Sequence, residues 1–224
     1  MRYRFECMFG DAEKVFLEIF SEKKGKEYIP MTRDGESFVC ELELLPSDAY
    51  KYIFVIDDNI RLIDPTAPFV IPTEDGQIFS CIAINANNEI LTYDFEPSIF
   101  VKNFGFCSEM VEDGEVVYKR AFSKKDNRIY VRIEYSDVLG FHQSSILWYR
   151  PDGQFFSQSS GIVWSEEKKE DGIIEWHYVE LTDQIPTGKW KIRFFINGLY
   201  LLEDYFIITP TTYGIEAGIL KTSL

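Results

Sequence analysis

AYKYIFVIDDNIRLIDPTAP, Ala49–Pro68, is the stretch whose reading decides the fold. Tyr52, Phe54 and Ile56 alternate with Lys51, Ile53 and Val55, the period-two pattern of a strand. Asp57-Asp58-Asn59 offers side chains that tolerate tight-turn geometry. Ile60, Leu62 and Ile63 resume the apolar run, and Asp64-Pro65 ends it. A hairpin with apolar side chains on both faces belongs in the middle of a layered structure, covered from both sides.

Working outward, further strands wrap the same core. Tyr3, Phe5, Cys7 and Phe9 alternate with Arg2, Arg4, Glu6 and Met8. Val15, Leu17 and Ile19 alternate with Phe16, Glu18 and Phe20, and Phe38, Cys40, Leu42 and Leu44 form a strand with one wet face. Glu22–Glu27 reads as a charged loop, Pro65, Pro68 and Pro72 as a loop that no central strand tolerates, Gln77–Asn85 as a strand and Ile90–Phe95 as one more. Glu96-Pro97-Ser98 is the domain boundary, giving domains 1–97 and 98–224. With no flexible linker there, the two should touch, and Phe100, Phe104 and Phe106 are expected at their interface.

Beyond the boundary, Val116–Phe122, Arg128–Tyr135, Ser145–Arg150, Trp176–Leu181, Trp190–Ile196 and Tyr200–Ile208 are β-rich. Turn signals separate them, the strongest being Asn197-Gly198 between two apolar runs. About seven short strands at this spacing predict an immunoglobulin-like sandwich. The expected fold is all-β, two immunoglobulin-like β-sandwich domains in tandem.

Composition narrows the function. The 224 residues carry a net charge of −14, and hydrophobic residues make up 46%. That acidity disfavours nucleic acid and anionic membrane surfaces as partners. No signal peptide and no 18-residue apolar run appear, and Cys7, Cys40, Cys81 and Cys107 form no C-x-x-C pair. These features predict unpaired thiols and a cytoplasmic location. His142 and His177 lack metal-ligand spacing, and their expected place is the surface or an interface. No nucleophile elbow, phosphate loop or dinucleotide fingerprint occurs. Neither catalysis, cofactor nor metal is therefore expected. Trp148 and Trp190 read as core, whereas Trp164 and Trp176 flank the charged Ser165–Gly172 loop and are candidates for exposure.

The first 90 or so residues also carry a resemblance. The spacing from Tyr50 and Tyr52 through Asp64-Pro65 and Ala67-Pro68, preceded by Ile29-Pro30-Met31, is similar to the α-glucan-binding β-sandwich family. That family includes N-terminal modules of isoamylases and branching enzymes, and the glycogen-binding domain of the AMP-activated protein kinase β subunit. The resemblance implies a β-sandwich. It also implies where a glucan would lie, and there the residue types differ. Lys26 stands at the first stacking tryptophan, with Tyr28 the nearest aromatic, and Ile53 replaces a lysine. Ile60 or Arg61 falls at the second tryptophan, and Asp75, Gln77 and Phe79 replace leucine, threonine and asparagine.

These readings converge on a non-catalytic binding or adaptor protein, with a protein partner or a second copy of the chain as ligand. The candidate binding residues are Lys26, Tyr28, Arg61, Gln77, Phe79, Trp164 and Trp176. Two alternatives stand beside it: α-glucan binding through a relocated aromatic site at Tyr28, Trp164 and Trp176, and an accessory chain for a separately encoded glycan-active enzyme.

Overall fold

The computed structural model describes residues 1–73, 76–111 and 115–210. The expected tail, Thr211–Leu224, and Asp75 lie outside the described residues. The strands are β1 (Arg2–Met8), β2 (Val15–Ser21), β3 (Gly25–Pro30), β4 (Thr32–Asp34), β5 (Ser37–Glu43), β6 (Asp48–Ile56), β7 (Ile60–Leu62), β8 (Phe69–Pro72) and β9 (Ile78–Ile84). They continue with β10 (Ser98–Cys107), β11 (Ala121–Ser123), β12 (Arg128–Tyr149), β13 (Phe155–Lys169), β14 (Ile173–Glu180), β15 (Gly188–Ile196) and β16 (Leu199–Thr209). The chain is all-β and builds two sandwich cores.

The opening hairpin is β6–β7, central in a sheet of order β3-β2-β6-β9-β8. Asp57 and Asp58 at its turn have φ of 47° and 63°, which their short polar side chains tolerate. The Asn59 N–H closes the turn on the Ile56 carbonyl at 3.1 Å. The Asp57 carboxylate accepts the Glu13 and Lys14 N–H groups at 2.9 and 3.0 Å, so it is committed to the backbone. Tyr50, Tyr52, Phe54 and Ile56 point at the facing sheet β1-β5-β4, meeting Phe5, Cys7 and Phe38 in the first core. At the Asp64-Pro65 exit, the Tyr52 hydroxyl donates to Asp64 at 2.9 Å and the Asp64 N–H donates to Ser80 at 2.7 Å. All four thiols are unpaired, and burial pushes Cys7 up to about 12.

The second core lies inside β10–β16. Arg128–Tyr135 and Ser145–Arg150, expected as separate strands, fall in one strand of 22 residues that ends one residue short of Arg150. The first part of β12 pairs with β10 and β14, and its later part with β13 and β15. Asp137 and Gly140, at φ of 53° and 83°, mark the irregular segment where the strand passes from one layer to the other. Trp148, Trp190, Phe194 and Phe206 fill the space between the layers.

Other expectations need correction. β3 begins inside the charged Glu22–Glu27 run. Ile90–Phe95 contributes an isolated bridge, Ile84 to Ile90, and of Val116–Phe122 only the end enters a strand. β13 continues to Lys169, through residues expected in a loop. Phe106 lies in the second core and Phe104 packs against it, while Phe100 remains 61% exposed.

The two halves share apolar contacts. Leu147, Tyr149 and Phe195 join the first core. On the opposite face of β6, Ile53 and Val55 cluster with Ile63 and Ile78 and pack against Ile162 of β13. The hairpin is thus buried on both faces, the second by the far half of the chain.

Candidate functional site

The outward face of the β6 sheet is built by residues that pair with Lys51, Ile53 and Val55. Cross-strand register places Glu18 beside Ile53 and Tyr28, and Phe20 beside Lys51 and Lys26. Arg61 pairs with Val55 on β7. Glu18 anchors this face: Lys26 Nζ is 2.8 Å from its Oε1, and Arg61 Nη1 is 3.0 Å from its Oε2. Burial raises the Glu18 carboxyl, but hydrogen bonds from Arg61 and Lys26 outweigh it and hold the group below its ordinary value.

The face runs into a cleft of about 830 Å³ between the halves. One wall carries Glu18, Lys26, Ile53, Arg61 and Gln77; the other is β13 from Phe155 to Ile162, with Gln143 of β12. A side-chain amide closes part of it. The Arg61 N–H donates to Gln158 Oε1 at 2.9 Å, and Gln158 Nε2 donates to the Arg61 carbonyl at 2.8 Å. Gln143 is 6% exposed, and its Oε1 has no hydrogen-bond partner.

The structure therefore brings Lys26, Arg61 and Gln77 together in one cleft. Phe79 shares a smaller recess of about 190 Å³ with Lys26, Phe20 and Lys51. Tyr28 lies on the same sheet face, stacked on Phe16 at 4.6 Å and 47% exposed. The two tryptophans do not join them. Trp164 stacks on Phe141 at 5.3 Å, and Trp176 meets Tyr130 edge-on at 6.0 Å in the other layer of the second sandwich. A relocated sugar platform made of Tyr28, Trp164 and Trp176 is not assembled. Glu18, Gln143 and Gln158 had no motif to mark them; the register of β2 against β3 and β6 puts Glu18 in place.

Of the two places expected for the histidines, surface or interface, the surface is excluded: both are buried. Burial lowers the His142 pKa; Asn197 donates to its Nδ1 at 2.9 Å and its Nε2 lies 2.9 Å from the Leu139 carbonyl, so the ring is a neutral structural link. His177 belongs to a polar cluster inside the second sandwich. Its Nε2 is 3.0 Å from Ser144 Oγ and 3.3 Å from Glu175 Oε2, and the Tyr135 hydroxyl donates to Glu175 at 2.8 Å. A serine relay has the acid on the ring nitrogen away from the serine. Here serine and carboxylate meet the same nitrogen, and Ser144 is 0% exposed, so the cluster lacks that geometry. Burial raises the Glu175 carboxyl, and its hydrogen bonds to His177, Ser144 and Tyr135 bring it below its ordinary value. Among the described residues, no group of three or more His, Cys, Asp or Glu could hold a metal, and no helix is long and apolar enough to cross a membrane.

No family model matches the chain, and no curated protein matches it. Among solved structures, an immunoglobulin-like protein from Pseudomonas aeruginosa aligns at a TM-score of 0.36 and 14% identity, covering 50% of this chain and 97% of that one. OgpA from Akkermansia muciniphila aligns at 0.27 and 13%, covering 51% of this chain and 29% of OgpA. Catalytically inactive OgpA in complex with an O-glycopeptide substrate, glycodrosocin, aligns at 0.29 and 13%, covering 56% and 32%. This chain thus spans about a third or less of the OgpA chains it matches. The all-β sandwich assignment rests on the strands and registers described above.

Proposed function

We propose that this chain is a non-catalytic binding protein that recognises a macromolecular partner through the cleft between its halves. The observation that carries the reading is the convergence on that cleft of Glu18, Lys26, Arg61 and Gln77 from one half and Gln143 and Gln158 from the other. These are groups that position hydrogen bonds, with apolar Ile53 and Ile162 between them. At the two stacking-tryptophan positions that the glucan-module resemblance implies, the chain carries Lys26 and Ile60 or Arg61.

A carbohydrate reading stays second, on one observation: Phe20 and Tyr28 are 45% and 47% exposed on the sheet face that also carries Lys26 and Phe79. Calorimetric titration with maltoheptaose separates the two. The binding-protein reading expects no millimolar-or-better affinity. A micromolar dissociation constant, lost in Tyr28→Ala or Phe79→Ala, would replace it with the carbohydrate reading.

A further inference from the structure

We propose that the cleft binds an extended peptide segment of the partner, which adds as a strand to the open edge of β13. This rests on the binding-protein reading and names its ligand class. The main chain of β13 pairs with β12 alone among the strands. Among the described residues, the main chain of Ser157–Ile162 makes no main-chain hydrogen bond to any strand or loop other than β12. In an antiparallel pair, alternate residues turn their N–H and C=O groups away from the partner strand. Ser157–Ile162 therefore presents a row of unpaired main-chain donors and acceptors along the cleft, roughly 20 Å of edge at about 3.3 Å per residue.

Exposed edges are commonly guarded by charge or proline. In β13 the charged residues, Glu166, Glu167, Lys168 and Lys169, sit at the far end, and Ser157–Ile162 has neither charge nor proline. What stands opposite is the other wall of the cleft, Ile53, Arg61 and Gln77. That wall already accepts an amide: the Gln158 carboxamide pairs with both main-chain groups of Arg61 as a peptide unit would. Gln143 supplies a second observation, a nearly buried amide lining the cleft whose oxygen has no hydrogen-bond partner. That oxygen is enclosed beside Ile162 of β13, so a side-chain donor of the added strand would reach it once the amide turns outward.

The lining favours peptide over sugar. Phe155 is the single aromatic side chain among the described cleft residues, which leaves a pyranose little to stack on. Strand addition draws affinity from main-chain hydrogen bonds and specificity from alternate side chains. One set would face Ile53, Arg61 and Glu18; the other would lie on the side of Gly161, where Glu175 packs.

The test uses the full chain and a displayed library of random peptides of about twelve residues. The best binder is synthesised unmodified and with single N-methyl groups at each position. Expected results are slowed hydrogen exchange at alternate amides within Ser157–Ile162, about tenfold or more with excess peptide. N-methylation at alternate peptide positions should weaken binding about tenfold, with the intervening positions unchanged within about twofold. Gln143→Leu should weaken it as well; should that variant misfold, the N-methyl series on the unaltered chain still decides between the outcomes. The inference is overturned by N-methylation that has no alternating effect, by protection elsewhere, or by a dimer of the chain that protects the same amides without peptide. Peptide binding at another surface would sink the strand-addition idea and leave the binding-protein reading standing. No enriched peptide, together with micromolar maltoheptaose binding, would remove both.

Discussion

Arg61 serves the cleft with two different parts of itself: its main-chain groups hold Gln158, and its guanidinium holds Glu18. Glu18 completes the link, since its side chain is 12% exposed and carries Lys26 on its other oxygen. Losing the carboxylate would leave two cations with no common anchor on the cleft wall. The pH dependence follows from the depressed carboxyl. Its stabilisation is fully present above the ordinary value of 4.5 and disappears as pH falls through the lower folded value. Glu18→Gln should therefore destabilise the protein at neutral pH by about 1 kcal/mol, the order expected for ion pairs whose cations, Lys26 and Arg61, are largely open to solvent screening. The difference from the unaltered chain should shrink towards zero in urea titrations run progressively below pH 4.5. A difference that stays constant on acidification would mean that the ion pairs contribute nothing. At this scale the sequence was partly readable. Lys26, Arg61 and Gln77 were candidates only through the resemblance to glucan-binding modules, and the register of β2, β3, β6 and β7 sets Lys26 and Arg61 about Glu18 on one wall of the cleft. Gln143 and Gln158 were not readable, because their roles depend on a contact between segments nearly a hundred residues apart, Arg61 with Gln158.

Elements show the same division. The β6–β7 hairpin was readable because both of its faces are apolar and its turn is chemically marked. β13 was missed because its sequence, FFSQSSGIVWSEEKK, mixes serine, glutamine, glycine and charge where a half-buried strand would alternate. Its pairing comes from β12, whose long run of apolar residues recruits it: Ile146 lies opposite Ser159 and Trp148 opposite Ser157. The strands expected at Arg128–Tyr135 and Ser145–Arg150 leave the residues between them unassigned, and the structure changes layers there, around Asp137 and Gly140. Small side chains on β13 leave room for the buried cluster. A Cβ on Gly161 would lie 1.8 Å from Glu175 Oε1, so any side chain there displaces a carboxylate tied to Tyr135 and His177. Gly161→Ala should destabilise the fold by about 1–3 kcal/mol in chemical denaturation, as overpacking does. In a Glu175→Ala background the same substitution should be nearly neutral, since the clash is gone. Equal effects in both backgrounds would place the problem in the β13 backbone and not in the cluster.

Across the whole molecule, the two cores are not closed separately. Leu147, Tyr149 and Phe195 complete the first core from the second half, and Ile162 covers the outer side of β6. The Asp11–Arg193 ion pair bridges the same junction, with Arg193 also bound to Glu203. The tightest junction is at the β15–β16 turn. Gly198 has φ of +78°, and a Cβ there would lie 1.9 Å from the Ile63 carbonyl oxygen, a backbone atom that cannot swing aside. Asn197-Gly198 reads in the sequence as hairpin chemistry, and it is; nothing in the dipeptide shows that the turn also seats against the exit of the opening hairpin. Since burial couples the halves, unfolding either should expose apolar side chains of the other. The chain is therefore expected to melt in one transition, with calorimetric and van't Hoff enthalpies equal. Gly198→Ala provides the decisive comparison. The left-handed backbone alone disfavours alanine by about 1–2 kcal/mol, and retreat from Ile63 adds to that. If the halves are one cooperative unit, the variant lowers the whole transition without splitting it. If the strain instead uncouples them, two transitions appear, and the cleft between them, with the Arg61–Gln158 amide pairing at its edge, opens before either sandwich melts. A variant in which only the second sandwich is destabilised, while the first melts as in the unaltered chain, would show that the shared side chains add little to the first core.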